Sequence, residues 1–326
     1  MHVRAFAFTL RLLTLACAGA ALGSLTACPY FFDCPTTWTD PESIDFDTSA
    51  DLIGVGPGTD YASFVAVGLS GLVSTHDGET ANAQSPVNVA LRAVARREAR
   101  LLAVGDQGTI LISDDAGQTW EPRTSGTTSS LISIVHAQLA GVDFMVAVGV
   151  EVIVVSADAG ETWTVVGAPA TGWGTLRGVF ATNARVYAVG DAGVAWSSAA
   201  PNGLWNIEVL GTSADLLGGG AHHTGTSVAE SETLLVAAAD NTVVLRDTSG
   251  WHTRELDLDG DILRFSGGYL LTSTGAIYDL DGTGVVSRVP VEFDFTPNAI
   301  HADAAGLVVV GDEGRAAHAY FQPCAG

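Results

Sequence analysis

Four basic side chains stand at comparable places in short apolar segments: Arg92, Arg177, Arg264 and His301. The matching residues of similar segments elsewhere are Ile53, Ile132 and Leu217. If these positions face a common axis, the basic groups form a cationic ring. Guanidinium forks hold carboxylates through paired hydrogen bonds, so such a ring suits an anionic ligand or a peptide carboxylate. The competing arrangement pairs each arginine with a nearby Asp or Glu. Residues 92–100 carry four arginines and make the one basic cluster in the chain.

Other chemistry is thinner. Asp257, Asp259 and Asp261 surround Gly260, and Asp279 and Asp281 precede Gly282. Carboxylates clustered at a glycine turn suit a hard cation, but neither group has the later acid of a calcium loop, and Asp-Gly is a common hairpin turn. His222 and His223 are adjacent, which on a strand sends them to opposite faces and away from a shared metal, so they read as loop residues. No Ser-His-Asp order and no phosphate-cradling loop with Lys can be placed. The expectation is therefore no catalytic residue, no metal and no cofactor.

The elements that must position these residues come from a repeat. Ser113-Asp114-Asp115-Ala116-Gly117-Gln118-Thr119-Trp120 returns as Ser156-Ala157-Asp158-Ala159-Gly160-Glu161-Thr162-Trp163. Each copy follows an apolar stretch containing Ala-Val-Gly. An apolar run leading to a turn recurs at 64–71, 101–108, 145–150, 186–193, 234–241, 269–275 and 307–314, a spacing of about 40 residues that matches blade repeats. A shorter apolar stretch precedes each run, at 52–55, 91–95, 131–135, 176–180, 216–219, 262–265 and 299–301. The runs are continuously apolar rather than alternating, as in strands covered on both faces. These features predict an all-β, seven-bladed β-propeller. The last unit lacks a fourth strand, whereas Thr36-Thr37-Trp38-Thr39 resembles the ends of the repeated phrase. The N-terminal segment is thus expected to complete the last blade and remove open sheet edges.

The phrase Ser-x-Asp-x-Gly-x-Thr-Trp resembles the Asp-box (BNR) turn. With the preceding Ala-Val-Gly-Asp-x-Gly, residues 101–120 are most similar to the photosystem II assembly factor-like (Ycf48-like) repeats. Ser113, Asp115, Gly117, Thr119 and Trp120, with Ser156, Asp158, Gly160, Thr162 and Trp163, then take structural roles. Asp accepts backbone N–H bonds, Gly adopts positive φ and Trp packs against neighbouring strands. The resemblance implies a non-catalytic scaffold for protein binding or assembly. Sialidases also carry Asp-boxes, which implies a glycan-directed enzyme or lectin as the alternative. Their Arg-Ile-Pro motif precedes the first box, however, and the nearest string here, Arg288-Val289-Pro290, follows both boxes.

The first residues read as a targeting segment: Arg4 and Arg11 precede an apolar stretch ending in Leu25-Thr26-Ala27-Cys28. This resembles a bacterial lipobox, which implies a signal peptide over 1–27, acylation at Cys28 and a propeller over 28–326. Pro29 after Cys28 implies sorting to the outer membrane. Cys17 leaves with the signal, so Cys34 and Cys324 remain as a pair in an oxidising compartment, close to the proposed closure, and are expected to form a disulfide. The chain of 326 residues has 36 acidic against 14 basic side chains, every one of the latter Arg. A formal charge of -22 repels phosphate backbones and argues against nucleic acid as a partner. The expected partner is an envelope protein or peptide, with the membrane reached through the lipid.

Overall fold

The computed structural model describes residues 37–59, 63–166, 174–223, 232–302 and 306–322. Cys28, Cys34 and Cys324 lie outside them. The chain forms seven antiparallel sheets in sequence order. Blade 1 is Leu52–Pro57, Phe64–Gly68, Val73–His76 and Ala81–Gln84; blade 2 is Leu91–Arg97, Arg100–Gly105, Ile110–Ser113 and Glu121–Arg123. Blade 3 is Leu131–Leu139, Val142–Gly149, Val152–Ser156 and Thr164–Val166; blade 4 is Leu176–Ala181, Val186–Gly190, Ala195–Ser198 and Asn206–Ile207. Blade 5 is Leu216–His223, Glu232–Ala238, Thr242–Asp247 and Gly250–Glu255; blade 6 is Ile262–Ser266, Tyr269–Thr272, Ile277–Leu280 and Val286–Val289. Blade 7 has Pro297–Ala302, Gly306–Gly311 and Arg315–Gln322. The first strand of each blade lies beside the first strands of its neighbours, and blade 7 returns to blade 1, so the ring closes.

The closing strand comes from the N-terminal side, as expected, but is longer than the Thr-Trp signal indicates. Thr37–Trp38 pairs with Phe321 and Gln322, and Glu42–Asp45 pairs with residues 315–318 of the same strand. Thr39 bridges the two pieces, its N–H donating to the Tyr320 carbonyl (3.1 Å) and its hydroxyl accepting from the Tyr320 N–H (2.9 Å). Glu42–Asp45 gives no strand signal in the sequence because it is polar and exposed except at Ile44.

Continuous apolar strands follow from burial on both faces. Met145 and Ala147 pack with Leu102, Ile110 and Ile112 of blade 2, while Val146 and Val148 pack with Val186 and Trp196 of blade 4. The Gly closing each Ala-Val-Gly has a separate cause. A Cβ on Gly105 would collide with the Ala90 carbonyl, which enters the first strand of the same blade. The next residues, Asp106–Gly108, turn the chain with Gln107 at φ 58° and Gly108 at φ 68°, the paired left-handed conformation of a tight hairpin. Asp191–Gly193 and Asp312–Gly314 repeat it.

Every first strand begins with a β-bulge, where register shifts between residues such as Leu91 and Ala93. The bulge inserts one residue and bends the strand. Across the ring the inserted residues are Ile53, Arg92, Ile132, Arg177, Leu217, Leu263 and Asn298. By connectivity, these bulges share one face with the Gly-Asp-x-Gly turns, and the repeated Ser-x-Asp turns lie on the opposite face.

Candidate functional site at the channel mouth

The bulges surround a cavity of about 330 Å³ on the axis, into which Arg92, Arg177 and Arg264 all project. The equivalence read from the sequence holds for Arg92, Arg177, Ile53, Ile132 and Leu217. It needs correcting for the other two basic residues. In blade 6 the inserted residue is Leu263, and Arg264 stands one place further on, level with Ala93 and Gly178. It still reaches the cavity, because a bulge sets two consecutive residues against one on the partner strand. In blade 7 the inserted residue is Asn298, whose amide donates to the Leu52 carbonyl at 3.2 Å. His301 lies three positions along, opposite Val308, and does not line the cavity. Both basic residues stand further along their strands than the inserted position, which Leu263 and Asn298 occupy.

The arginines differ in their partners. Arg92 grips Asp106 of its own turn through Nε–Oδ1 at 2.6 Å and Nη2–Oδ2 at 3.1 Å. Arg177 holds Asp191 at 2.7 Å and reaches Asp215, at the entry to blade 5, at 3.2 Å. Blade 6 breaks this pattern. Its turn is Ser273-Thr274-Gly275, with Ser273 where blades 2 and 4 have Asp106 and Asp191. Arg264 accordingly pairs with no carboxylate among the described residues, and its Nη1 donates to the Leu263 carbonyl at 2.9 Å. The protein crowded around the channel pushes Arg264 below its ordinary value, and the Arg177 and Arg92 charges push in the same direction. The group remains exposed to solvent and is a guanidinium with its donor fork open.

The remaining basic residues of segment 92–100 are structural. Arg97 pairs with Asp143 of blade 3 at 2.8 Å, and Arg96 donates to the Gly58 carbonyl of blade 1 at 2.6 Å. Arg100 joins Asp114 at 2.7 Å to Glu161 of the next blade at 2.6 Å.

The repeated turns on the opposite face have matching geometry. Ser113 Oγ donates to Asp115 at 2.8 Å and accepts the Gly117 N–H at 2.8 Å, and Asp115 accepts the Thr119 N–H at 2.8 Å and the Thr119 hydroxyl at 2.6 Å. Trp120 Nε1 donates to the Gly117 carbonyl at 3.1 Å. Ser156, Asp158, Gly160, Thr162 and Trp163 repeat the set, with Trp163 Nε1 to the Gly160 carbonyl at 2.8 Å. Bonds from Thr119 hold the Asp115 carboxyl below the usual range. Burial pushes Asp158 up, but bonds from Thr162 and Ser156 outweigh it and leave it low. Blade 1 has a shorter version: His76 occupies the Ser position, Asp77 accepts from the Thr80 N–H and hydroxyl, and Ala81 follows without a Trp.

Asp259 and Asp261 sit in a turn tied through their backbones: Asp259 N–H donates to the Tyr278 hydroxyl at 2.9 Å and Asp261 N–H to Ser273 Oγ at 3.0 Å. Among the described residues no three His, Cys, Asp or Glu side chains are grouped to hold a metal. His222 and His223 end the first strand of blade 5 rather than occupying a loop.

The fold and site define a seven-bladed β-propeller with an arginine-lined axial mouth. No protein-family model and no curated protein matches the sequence. Solved structures of the same fold include a complex described as YCF48 bound to D1 peptide, 18% identical, with a TM-score of 0.65 over 88% of this chain and 97% of that one. YCF48 from Cyanidioschyzon merolae is 16% identical, with a TM-score of 0.64 over 87% and 99% of the two chains. Virginiamycin B lyase from Staphylococcus aureus is 10% identical, with a TM-score of 0.71 over 88% and 100%. At these identities the shared property is the fold, which hosts both binding and catalysis.

Proposed function

We propose that this protein is a non-catalytic, lipid-anchored scaffold of the cell envelope that captures an anionic segment of another protein at its channel mouth. The observation that carries this reading is Arg264, a guanidinium with no carboxylate partner among the described residues, set beside Arg92 and Arg177 in an axial cavity. Placed in the axial cavity with no acid beside it, this exposed arginine is a ready anion receiver. The D1-peptide complex of YCF48 supports peptide capture by this fold. Anchoring through Cys28 and an outer-membrane location rest on the lipobox resemblance.

The decisive experiment is a pull-down from native membranes with wild-type protein and Arg264→Gln. Specific partners lost in the variant support the site, and equal capture rejects it. The virginiamycin B lyase fold match keeps an enzyme reading alongside. Screening with fluorogenic sialosides and other glycosides addresses its glycan-directed form, where specific turnover would favour the hydrolase. Palmitate labelling dependent on Cys28 tests the anchor, and a processed protein without label rejects it.

A further inference from the structure

Resting on the reading of Arg264 as the anion receiver, we infer that the channel mouth selects an anionic chain segment carrying a bulky apolar side chain beside its carboxylate. Three arginines line the cavity, two of them already paired with acids, and apart from Ser133 the other side chains of its lining are apolar. Ile53, Ile132, Leu217 and Leu263 line it from their bulges, and Phe265 adds an aromatic ring directly after Arg264. Inorganic phosphate or a sugar acid would leave that surface wet. An apolar group covering it removes water from beside the guanidinium and strengthens the ion pair.

Between blades 5 and 6 the strand wall beside this apolar surface is low. A Cβ on Gly218 would meet nothing nearer than the Phe265 carbonyl at 3.8 Å, and one on Gly220 would meet the Phe265 ring at 3.4 Å. Neither glycine is in the left-handed region. Packing explains other first-strand glycines: a Cβ on Gly54 would strike the Arg92 carbonyl, and one on Gly178 would strike the Gly218 α-carbon at 2.7 Å. Gly218 and Gly220 have no such cause, and glycine weakens a strand. Their effect is to leave a gap that an added methyl would fill, so that Phe265 and Leu263 stay uncovered beside Arg264. A cavity of about 330 Å³ is at the small end of ligand sites, so it suits the end or tip of a chain rather than a folded surface.

Fluorescence polarisation with two labelled peptides, Gly-Ser-Gly-Asp-Phe and Gly-Ser-Gly-Asp-Gly, tests this on the full-length protein in detergent. Wild type should bind the Phe probe about tenfold tighter or more, as burial of one aromatic side chain implies. Gly218→Val should raise the wall over Phe265 and bring the probes within about threefold of each other, by weakening the Phe probe more than the Gly probe. Gly218→Ala, whose methyl has ordinary contact distance, should narrow the gap without disturbing the strand. Arg264→Gln should weaken both probes equally. Equal binding of both probes by wild type, still lost in Arg264→Gln, would overturn apolar selection while leaving the anion site standing. Binding by neither probe, or binding indifferent to Arg264→Gln, would overturn both.

Discussion

Arg264 is left open by one residue in a neighbouring turn. Asp106 and Asp191 neutralise Arg92 and Arg177, whereas blade 6 has Ser273 at that place. Two outcomes follow at this scale. Arg264→Gln should leave the melting temperature unchanged, since no ion pair is lost, whereas Arg92→Gln should lower stability by about 0.5–1 kcal/mol, the scale of a partly exposed pair. Ser273→Asp should supply Arg264 with its missing acid and abolish partner capture while the fold stays intact, read by pull-down and thermal melt together. Retained capture in Ser273→Asp would show that the open guanidinium is not what binds. In the repeated turn, Asp158→Ala removes the acceptor for Ser156 and for both Thr162 groups. It should cost about 0.5–1.5 kcal/mol in denaturant unfolding, because water can replace the lost acceptor at the exposed Thr162.

Among the elements, the seam in blade 7 decides whether the ring holds. Strand Arg315–Gln322 is paired along its length by two N-terminal pieces, and Thr37 lies opposite Gln322. Cys34 and Cys324 lie outside the described residues, three before Thr37 and two after Gln322 in the sequence, and a disulfide between them is proposed. Such a bridge would close a loop from residue 34 to residue 324, and loop entropy would give it on the order of 5 kcal/mol in a random-chain treatment. Non-reducing peptide mapping of envelope-purified protein should recover the linked peptides, and reduction should lower the melting temperature. Free thiols at both positions would reject the bridge, leaving the paired seam as the closure. Gly105→Ala offers a check on the inner architecture. Its methyl would meet the Ala90 carbonyl, so the strand entry must shift, at a predicted cost of about 1–3 kcal/mol measured by denaturant unfolding.

For the whole molecule, the acid balance sets the response to pH. Asp77 and Asp247 are held down to about 2, the first chiefly by hydrogen bonds from Thr80 and the second by bonds from Ser249. Asp115, Asp106 and Asp143 are also lowered, by Thr119, Arg92 and Arg97 respectively. A carboxyl with a folded value below its unfolded one stabilises the fold fully above the unfolded value, about 4, and loses that contribution as pH falls through the folded one. The melting temperature should therefore hold above about pH 5 and fall between about pH 4 and 2. A melting temperature that rises over that window would contradict these assignments. Salt should weaken partner capture at the channel, because the arginines there stay accessible to counterions.

Local sequence determined the blade repeat, the hairpin turns and the two Ser-x-Asp turns, because each depends on neighbours within a few residues. Asp115 meets Thr119, and Asp106 precedes the left-handed pair that turns the chain. Continuous apolar runs also report burial on both faces, since adjacent blades cover both faces of these second strands. The closing strand is half legible: Trp38 marks it, but Glu42–Asp45 owes its place to pairing with the far end of the chain rather than to any pattern of its own. The site is legible in its residue types and not in its geometry. Alignment of apolar stretches does not fix the register of a strand, so it sets Arg264 and His301 level with Arg92, although they stand further along than the inserted residues of their blades. Only the tertiary structure decided which arginine is free of an acid, because that depends on an Asp or a Ser presented across the blade by a separate turn.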